Sequence, residues 1–588
     1  MVWAHSVSYD LINWIHLNHA IEPSEPYDIN SCWSGSATIL PGEEQPIILY
    51  TGIDNNKHQV QNLVMPKNLS DPFLREWVKH PQNPVITPPN GVEVNNFRDP
   101  STAWLGKDGK WRVVIGAQNG DEGKAVLYQN FFPVSINSLN GVDTSVPNQS
   151  VRHVLKISYF RRHEDYYFLG KYVYDEANFI PDVKFTGTSL DLRYDYGKFY
   201  ASKSFFDHAK SRRILWGWVN ECDTTQDDVE KGWAGLQCIP RQVWLDENGK
   251  RLMQWPIEEV EKLRDKQISI IGEKLVGGST LEVSGITASQ RRRTSADGIS
   301  ARRSARDDGG AGGPGEAETP RSDGIWDRNA VENRWNGRRN RDEEPLERAA
   351  RLISAETPRS DGIWAVETRR RATGAGGRNA ISAAIWIGTR RLKRDLRCPP
   401  FIPVEQRRRC GTAGPGPAAD HRQSRGLRRA TRLRLPADDS TAAAQMLRSG
   451  IIGPFGLLAL ASEDQTEHTA IFFRIYRATS RYLCLMCSDQ SRSSLRQDLD
   501  KATYGTIFDI VPNLKTISLR SLIDRSIIES FGEKGKICIT SRVYPSLAID
   551  KDAHLYVFNN GSKSVVISEL NAWSMKQAEF GQEKSINK

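Results

Sequence analysis

Residues 36–66, SATILPGEEQPIILYTGIDNNKHQVQNLVMP, decide the fold. Three short runs in it, SATILP, PIILYTGI and HQVQNLVMP, carry β-branched and aromatic residues, and Pro-Gly and Asp-Asn-Asn turn residues stand between them. The stretch reads as antiparallel sheet. The same grammar runs from Trp33 to about Trp244, through STAWLG, WRVVIGAQ, VLKISYF, YYFLGKYV, RILWGWV and RQVWLD. A sandwich, a barrel or a propeller would each accommodate such strands. Their number favours a propeller, whose radial sheets converge on an axial pocket, although no repeat of blade length is visible.

Outward from this region the pattern changes twice. PIEEVEKLRDKQ, residues 256–267, opens on proline and alternates its charges, which predicts a connecting helix. Strand character resumes in ISIIGEKLVGGSTLEVSGI and stops at Arg291. Residues 291–447 are rich in Arg, Ala and Gly, with scarcely any apolar periodicity, and repeat AETPRSDGIW at 317–326 and 355–364. Two copies do not make a solenoid, and the composition predicts a disordered insert foreign to the fold. From residue 448 strands return in TAIFFRIY, RYLCLMCS, KICITSRVYP and HLYVFNN. The expected organisation is all-β: a propeller domain over 1–255, a linker helix at 256–267, and a β-sandwich built from 268–290 and 448–577 around the insert.

The net charge of +9 belongs to the insert. Residues 291–440 hold 32 Arg and one Lys against 20 acidic residues, leaving 47 basic and 51 acidic residues elsewhere. The basic segment lacks a regular stacking motif and mixes in acids throughout, so a nucleic-acid partner is disfavoured. Eight cysteines in 588 residues are too few for a disulfide scaffold. Cys484 and Cys487 form the sole C-x-x-C, and on a strand they face opposite sides, as buried thiols rather than zinc ligands. No metal and no cofactor is expected. No membrane span and no signal peptide is legible, while Asn68, Asn148 and Asn560 begin glycosylation sequons that suit a secreted protein.

The candidate chemistry lies in FRDPSTAW, where Asp99 stands between Arg98 and a proline that fixes the chain. With CWSGSATILP (32–41), YDYGKFYASKSFFD (194–207), RILWGWVNE (213–221), GWAGLQCIPRQVWLD (232–246) and DRSIIESFG (524–532), this motif resembles plant glycoside hydrolase family 32, the cell-wall-type invertases and fructan exohydrolases. The resemblance covers about 1–290 and 448–577. It implies a five-bladed β-propeller followed by a β-sandwich, release of terminal fructose from sucrose or fructans with retention and no cofactor, and a cell-wall or vacuolar location. It implies further that Asp99 is the transition-state-stabilising carboxylate, that Arg98, Trp33 and Ser34 bind the fructosyl unit, and that Asp195 and Lys198 form an acid–lysine couple beside the leaving sugar. Alternate tryptophans Trp216 and Trp218 are expected in blade core.

Two family motifs are not found in the 588 residues. N-D-P-N-G, which carries the family's nucleophile, is absent, which predicts a truncated first blade with open edges. W-E-C-P-D, which carries the acid/base, is also absent: GKAVLYQN runs directly into FFPVS. Glu221-Cys222 in VNECD is not a substitute, since Pro-Asp does not follow. Nucleophile and acid/base act as a unit. The expectation is therefore an impaired hydrolase, with a catalytically inactive sucrose- or fructan-binding protein as the alternative. The sharp edges of the departures resemble skipped or misassigned exons.

Overall fold

A computed structural model of the chain describes residues 1–40, 45–106, 109–119, 122–124, 131–136, 138–144, 150–159, 162–173, 178–183, 192–287, 385–386, 451–477, 482–510 and 516–582. The described part of the first 256 residues forms five meandering sheets in chain order, the blades of a propeller. The second blade, Ser31–Leu40, Gln45–Ile53, Gln59–Pro66 and Trp77–Lys79, shows why. Its two middle strands are buried on both faces. Ile48, Tyr50 and Val64 pack with Trp3 and Ile21 of the first blade. Ile47, Leu49, Leu63 and Met65 pack on the other side with Trp111 and Val113 of the third. The period of two thus gives each blade two apolar faces, one for each neighbour.

The third blade pairs Phe97–Arg98, Gly116–Asn119 and Glu122–Lys124, with a separate ladder of Trp104–Leu105 and Trp111–Arg112. The fourth is Phe131–Ser135, Val151–Tyr159, Glu164–Val173 and Asn178–Pro181. The fifth is Tyr200–Asp207, Arg212–Val219, Arg241–Leu245 and Leu252–Pro256. The first blade contains Trp3–Val7 and Trp14–Ile21, and its outer edges are paired by segments remote in sequence. Phe580–Gln582 runs parallel to Trp14–Ile21, and the backbone of Ile385–Trp386 pairs with Trp3–Val7. These two residues apart, the predicted insert lies outside the described residues.

The connector departs from expectation. Glu258–Leu263 is a 3-10 helix, and the chain becomes strand at Arg264, inside the predicted helix. Three-residue turns put Ile257 and Val260 on one buried side, while Glu259 is held by Arg212 and Lys210, so the site favours the tighter helix. An α-helix not anticipated from the sequence occupies Thr225–Lys231, with Thr224 and Asp227 as a reciprocal capping box and Gly232 closing it at φ 76°.

The sandwich sets a six-stranded sheet, Ser279–Glu282, His554–Asn559, Ile452–Ala461, Thr469–Arg477, Tyr482–Asp489 and Tyr504–Ile510, against Leu519–Asp524, Ile527–Gly532 and Ile537–Arg542. A long ribbon of Arg264–Leu275 and Val565–Met575 packs on the same core. Cys484 and Cys487 are buried free thiols, as are the other described cysteines. The two units are pinned by Arg241 of the fifth blade, whose fully buried guanidinium donates to Asp195 (3.0 Å), Glu529 (2.8 Å) and Thr540 Oγ1 (2.8 Å).

Candidate functional site

Asp99 adopts the left-handed conformation, φ 65°, which costs a non-glycine residue about 1–3 kcal/mol and persists where surrounding bonds enforce it. The enforcement is visible. The Asp99 N–H donates to Thr51 Oγ1 at 2.9 Å, Thr51 donates to Gln61 Oε1 at 2.9 Å, and Gln61 Nε2 donates to the Phe97 carbonyl at 2.8 Å. The second blade therefore holds the turn from both ends. Arg98 donates to Asn96 Oδ1 at 3.0 Å, and its Nε lies 3.9 Å from Asp99 Oδ2. Both side chains keep part of their surface open, 30% for Arg98 and 16% for Asp99.

Trp33 and Ser34 reach this region through a bulge. The ladder to the next strand slips between Cys32 and Gly35, and Gly35 passes so close to Leu49 that a Cβ would lie 1.9 Å from its carbonyl oxygen. The bulged strand lies against Phe97–Arg98, and both Trp33 and Ser34 are partly open.

A second bulge brings in residues that the sequence reading missed. Between Tyr200 and Lys203 the ladder to Trp218 and Trp216 slips by one residue, with Ala201 at φ 50°. On a regular strand these positions would face opposite sides; the bulge breaks that alternation, and the charge of Asp99 acts on both side chains. Burial pushes the Tyr200 hydroxyl up, and the charges of Asp165 and Asp99 push it further. Burial draws the Lys203 ammonium down to about 8 against the opposing pull of Asp99, and its Nζ lies 3.5 Å from Ser36 Oγ. Behind them the buried Asp165 accepts from Ser202 N (2.7 Å) and Ser158 Oγ (2.6 Å) and lies 3.4 Å from Lys156, fixing the strand.

Asp195 and Lys198 each have another charge partner. The Asp195 carboxylate is fully buried and accepts from Arg241, Gly197 N, and both the backbone N–H and the hydroxyl of Thr540. Lys198 pairs instead with Asp500 of the sandwich, at 2.9 Å. The charge partner of Asp195 inside the protein is thus Arg241. Trp216 is partly buried core beside Trp14, as expected, but Trp218 is 39% exposed, a correction to its placement in blade core.

Residues 125–130, where W-E-C-P-D would stand, lie outside the described residues. Burial raises the Glu221 pKa, but a hydrogen bond from Tyr544 and the charge of Arg542 outweigh it and hold the carboxylate below its ordinary range, the reverse of what a proton donor needs. With Asp223 and Asp228 it forms an acidic group whose centre is filled by the Lys231 ammonium, 2.6 Å from Asp223 and 3.1 Å from Asp228.

The profile of the glycosyl hydrolases family 32 N-terminal domain matches residues 1–131 and 129–256, and that of the family 32 C-terminal domain matches 419–574. The chain belongs to glycosyl hydrolase family 32. It is 40% identical to a fructan 6-exohydrolase of Beta vulgaris, over 99% of this chain and 80% of that protein. It is 41% identical to an insoluble isoenzyme of beta-fructofuranosidase from Arabidopsis thaliana, over 99% and 84%. The crystal structure of fructan 1-exohydrolase IIa from Cichorium intybus superposes with a TM-score of 0.71 at 41% identity, covering 99% of this chain and 90% of that one. A variant of that family 32 enzyme has been solved in complex with 1-kestose. By family the chain is an O-glycosyl hydrolase with the propeller-and-sandwich fold. The N-terminal family match falls into two pieces that meet at 129–131, the point where LYQN abuts FFPVS.

Proposed function

We propose that this protein takes the terminal β-fructofuranosyl unit of sucrose or a fructan at Arg98 and Asp99, with Trp33 and Ser34 lining the same pocket. The observation that carries the reading is the enforced left-handed turn at Asp99, which holds a carboxylate and a guanidinium 3.9 Å apart, both partly open. A carboxylate so placed binds sugar hydroxyls and stabilises positive charge developing at the anomeric carbon; the indole suits the C–H face of the sugar. Asp195 serves in this reading to hold the two units together, and Lys198 with Asp500 stands at the boundary between them. The names of the relatives include a cell wall isozyme and insoluble isoenzymes, which supports an extracellular setting for this chain as well.

Hydrolysis by the 588-residue chain is proposed to be weak, because no W-E-C-P-D stands between Lys124 and Phe131 to supply the acid/base. The break in the family match at the same place supports this. The test is calorimetry and fructose release side by side, with sucrose and 1-kestose. Binding that Asp99→Ala weakens tenfold or more, accompanied by fructose release far below that of an intact relative, is expected. Ordinary turnover would overturn the impairment; no binding of either sugar would overturn the site.

A further inference from the structure

We propose that Tyr200, Trp218 and His163 form a carbohydrate platform leading away from Asp99, which receives the third and later units of a β-fructofuranosyl oligosaccharide. The protein is then matched to chains of three or more sugars rather than to a disaccharide. The inference rests on the reading that the terminal unit sits at Arg98 and Asp99.

Three observations carry it. Tyr200 opens the strand whose Lys203 Nζ lies 3.5 Å from Ser36 Oγ, on the strand that carries Trp33 and Ser34, so one end of the platform adjoins the site; the charges of Asp99 and Arg98 act on its hydroxyl as well. Trp218 is the cross-strand partner of Tyr200, with ring centroids 6.3 Å apart, and stands one strand further out, roughly 5 Å. The His163 ring lies 4.9 Å from that of Tyr200 and is tied through Nδ1 to Asn220 Nδ2 at 2.8 Å. The rings form a continuous row rather than isolated surface aromatics.

The exposed indole is also fixed. Gly235, at φ 82°, passes the ring so closely that a Cβ would lie 1.9 Å from Trp218 Nε1. The Gly235 N–H donates to Glu221 Oε1 at 2.7 Å, and Glu221 is anchored in turn by Arg542 Nε at 3.0 Å. A large aromatic surface left in water but held in one place is preorganised for a partner with an apolar face and hydroxyl edges, which is the character of a sugar ring. Burial, then the nearby Lys198 cation, keeps His163 below the usual histidine pKa, so its neutral ring can exchange hydrogen bonds with hydroxyls.

The experiment titrates wild type, Trp218→Ala and Trp218→Phe with sucrose, 1-kestose and the next β(2→1)-linked homologue, by calorimetry. Wild type is expected to bind the tri- and tetrasaccharide more tightly than sucrose. Trp218→Ala should lose about five- to tenfold for the longer sugars and leave sucrose unchanged, with Trp218→Phe keeping most of the affinity. If melting shows that Trp218→Ala is unfolded, Trp218→Leu replaces it, keeping apolar bulk without a ring. Equal affinity of wild type for all three sugars, or an equal loss for sucrose and the longer chains, overturns the platform while sparing the site. Binding of none of them overturns the underlying reading.

Discussion

Lys203 is a residue whose chemistry differs from its type. An ammonium drawn down to about 8 by burial, although Asp99 pulls it up, has a folded-state pKa below its unfolded value of 10.5. Between those values the folded chain binds fewer protons than the unfolded one, so stability rises with pH across that window. The burial penalty is therefore fully present below pH 8 and is relieved as pH approaches 10.5. Relative to wild type, Lys203→Met should be most favourable near pH 7 and lose much of that advantage by pH 9.5, in unfolding free energies from urea titration at each pH. A difference that does not change with pH would show that Lys203 titrates normally. In sequence, YASKSFFD gives no hint of this, because period-two reading puts Tyr200 and Lys203 on opposite faces. The unpaired residue that breaks this alternation is a bulge, which depends on the neighbouring strand.

At the scale of elements, strands were legible where a blade is apolar on both faces, as in PIILYTGI. The helices were not. Alternating charges in PIEEVEKLRDKQ drew attention to a segment whose glutamates serve as anchors for Arg212, Lys210 and Arg520. The actual helix announced itself through its ends: Thr224 followed three residues later by Asp227, and Gly232 beyond Lys231. Cap signals outweigh charge alternation here because they satisfy backbone groups that a short helix cannot satisfy itself. Asp227 also takes a two-pronged contact from Arg496 of the sandwich, so the helix end is part of the seam between the two units. Thr224→Ala is expected to destabilise the protein by about 1 kcal/mol, since it removes the hydroxyl that accepts the Asp227 N–H while leaving Arg496 paired. Urea unfolding measures this; an unchanged midpoint would mean that Arg496 alone fixes the helix.

For the whole molecule, the question is how a chain interrupted after residue 290 still closes its second unit. Ser279–Glu282 and Ile452–Ala461 lie on either side of the same strand, His554–Asn559, with Ser279 and Phe455 both opposite Asn559. The two strands that flank the interruption are therefore parallel and about 10 Å apart sideways, two steps of sheet spacing, with the ends to be joined about six residues, or about 20 Å, apart along the strands. The family's C-terminal match begins at 419, well before the first returning strand. The expectation from both facts is that the sandwich closes without residues 291–418. Replacing residues 291–418 with a flexible linker of about fifteen residues supplies more reach than the gap requires, at roughly 3.3 Å per extended residue. The shortened protein should melt within a few degrees of the full chain and keep its affinity for 1-kestose. The competing outcome is specific: if the pairing of Ile385–Trp386 with Trp3–Val7 supports the first blade, its removal should lower the melting midpoint markedly and expose that blade to proteolysis between Met1 and Ile21.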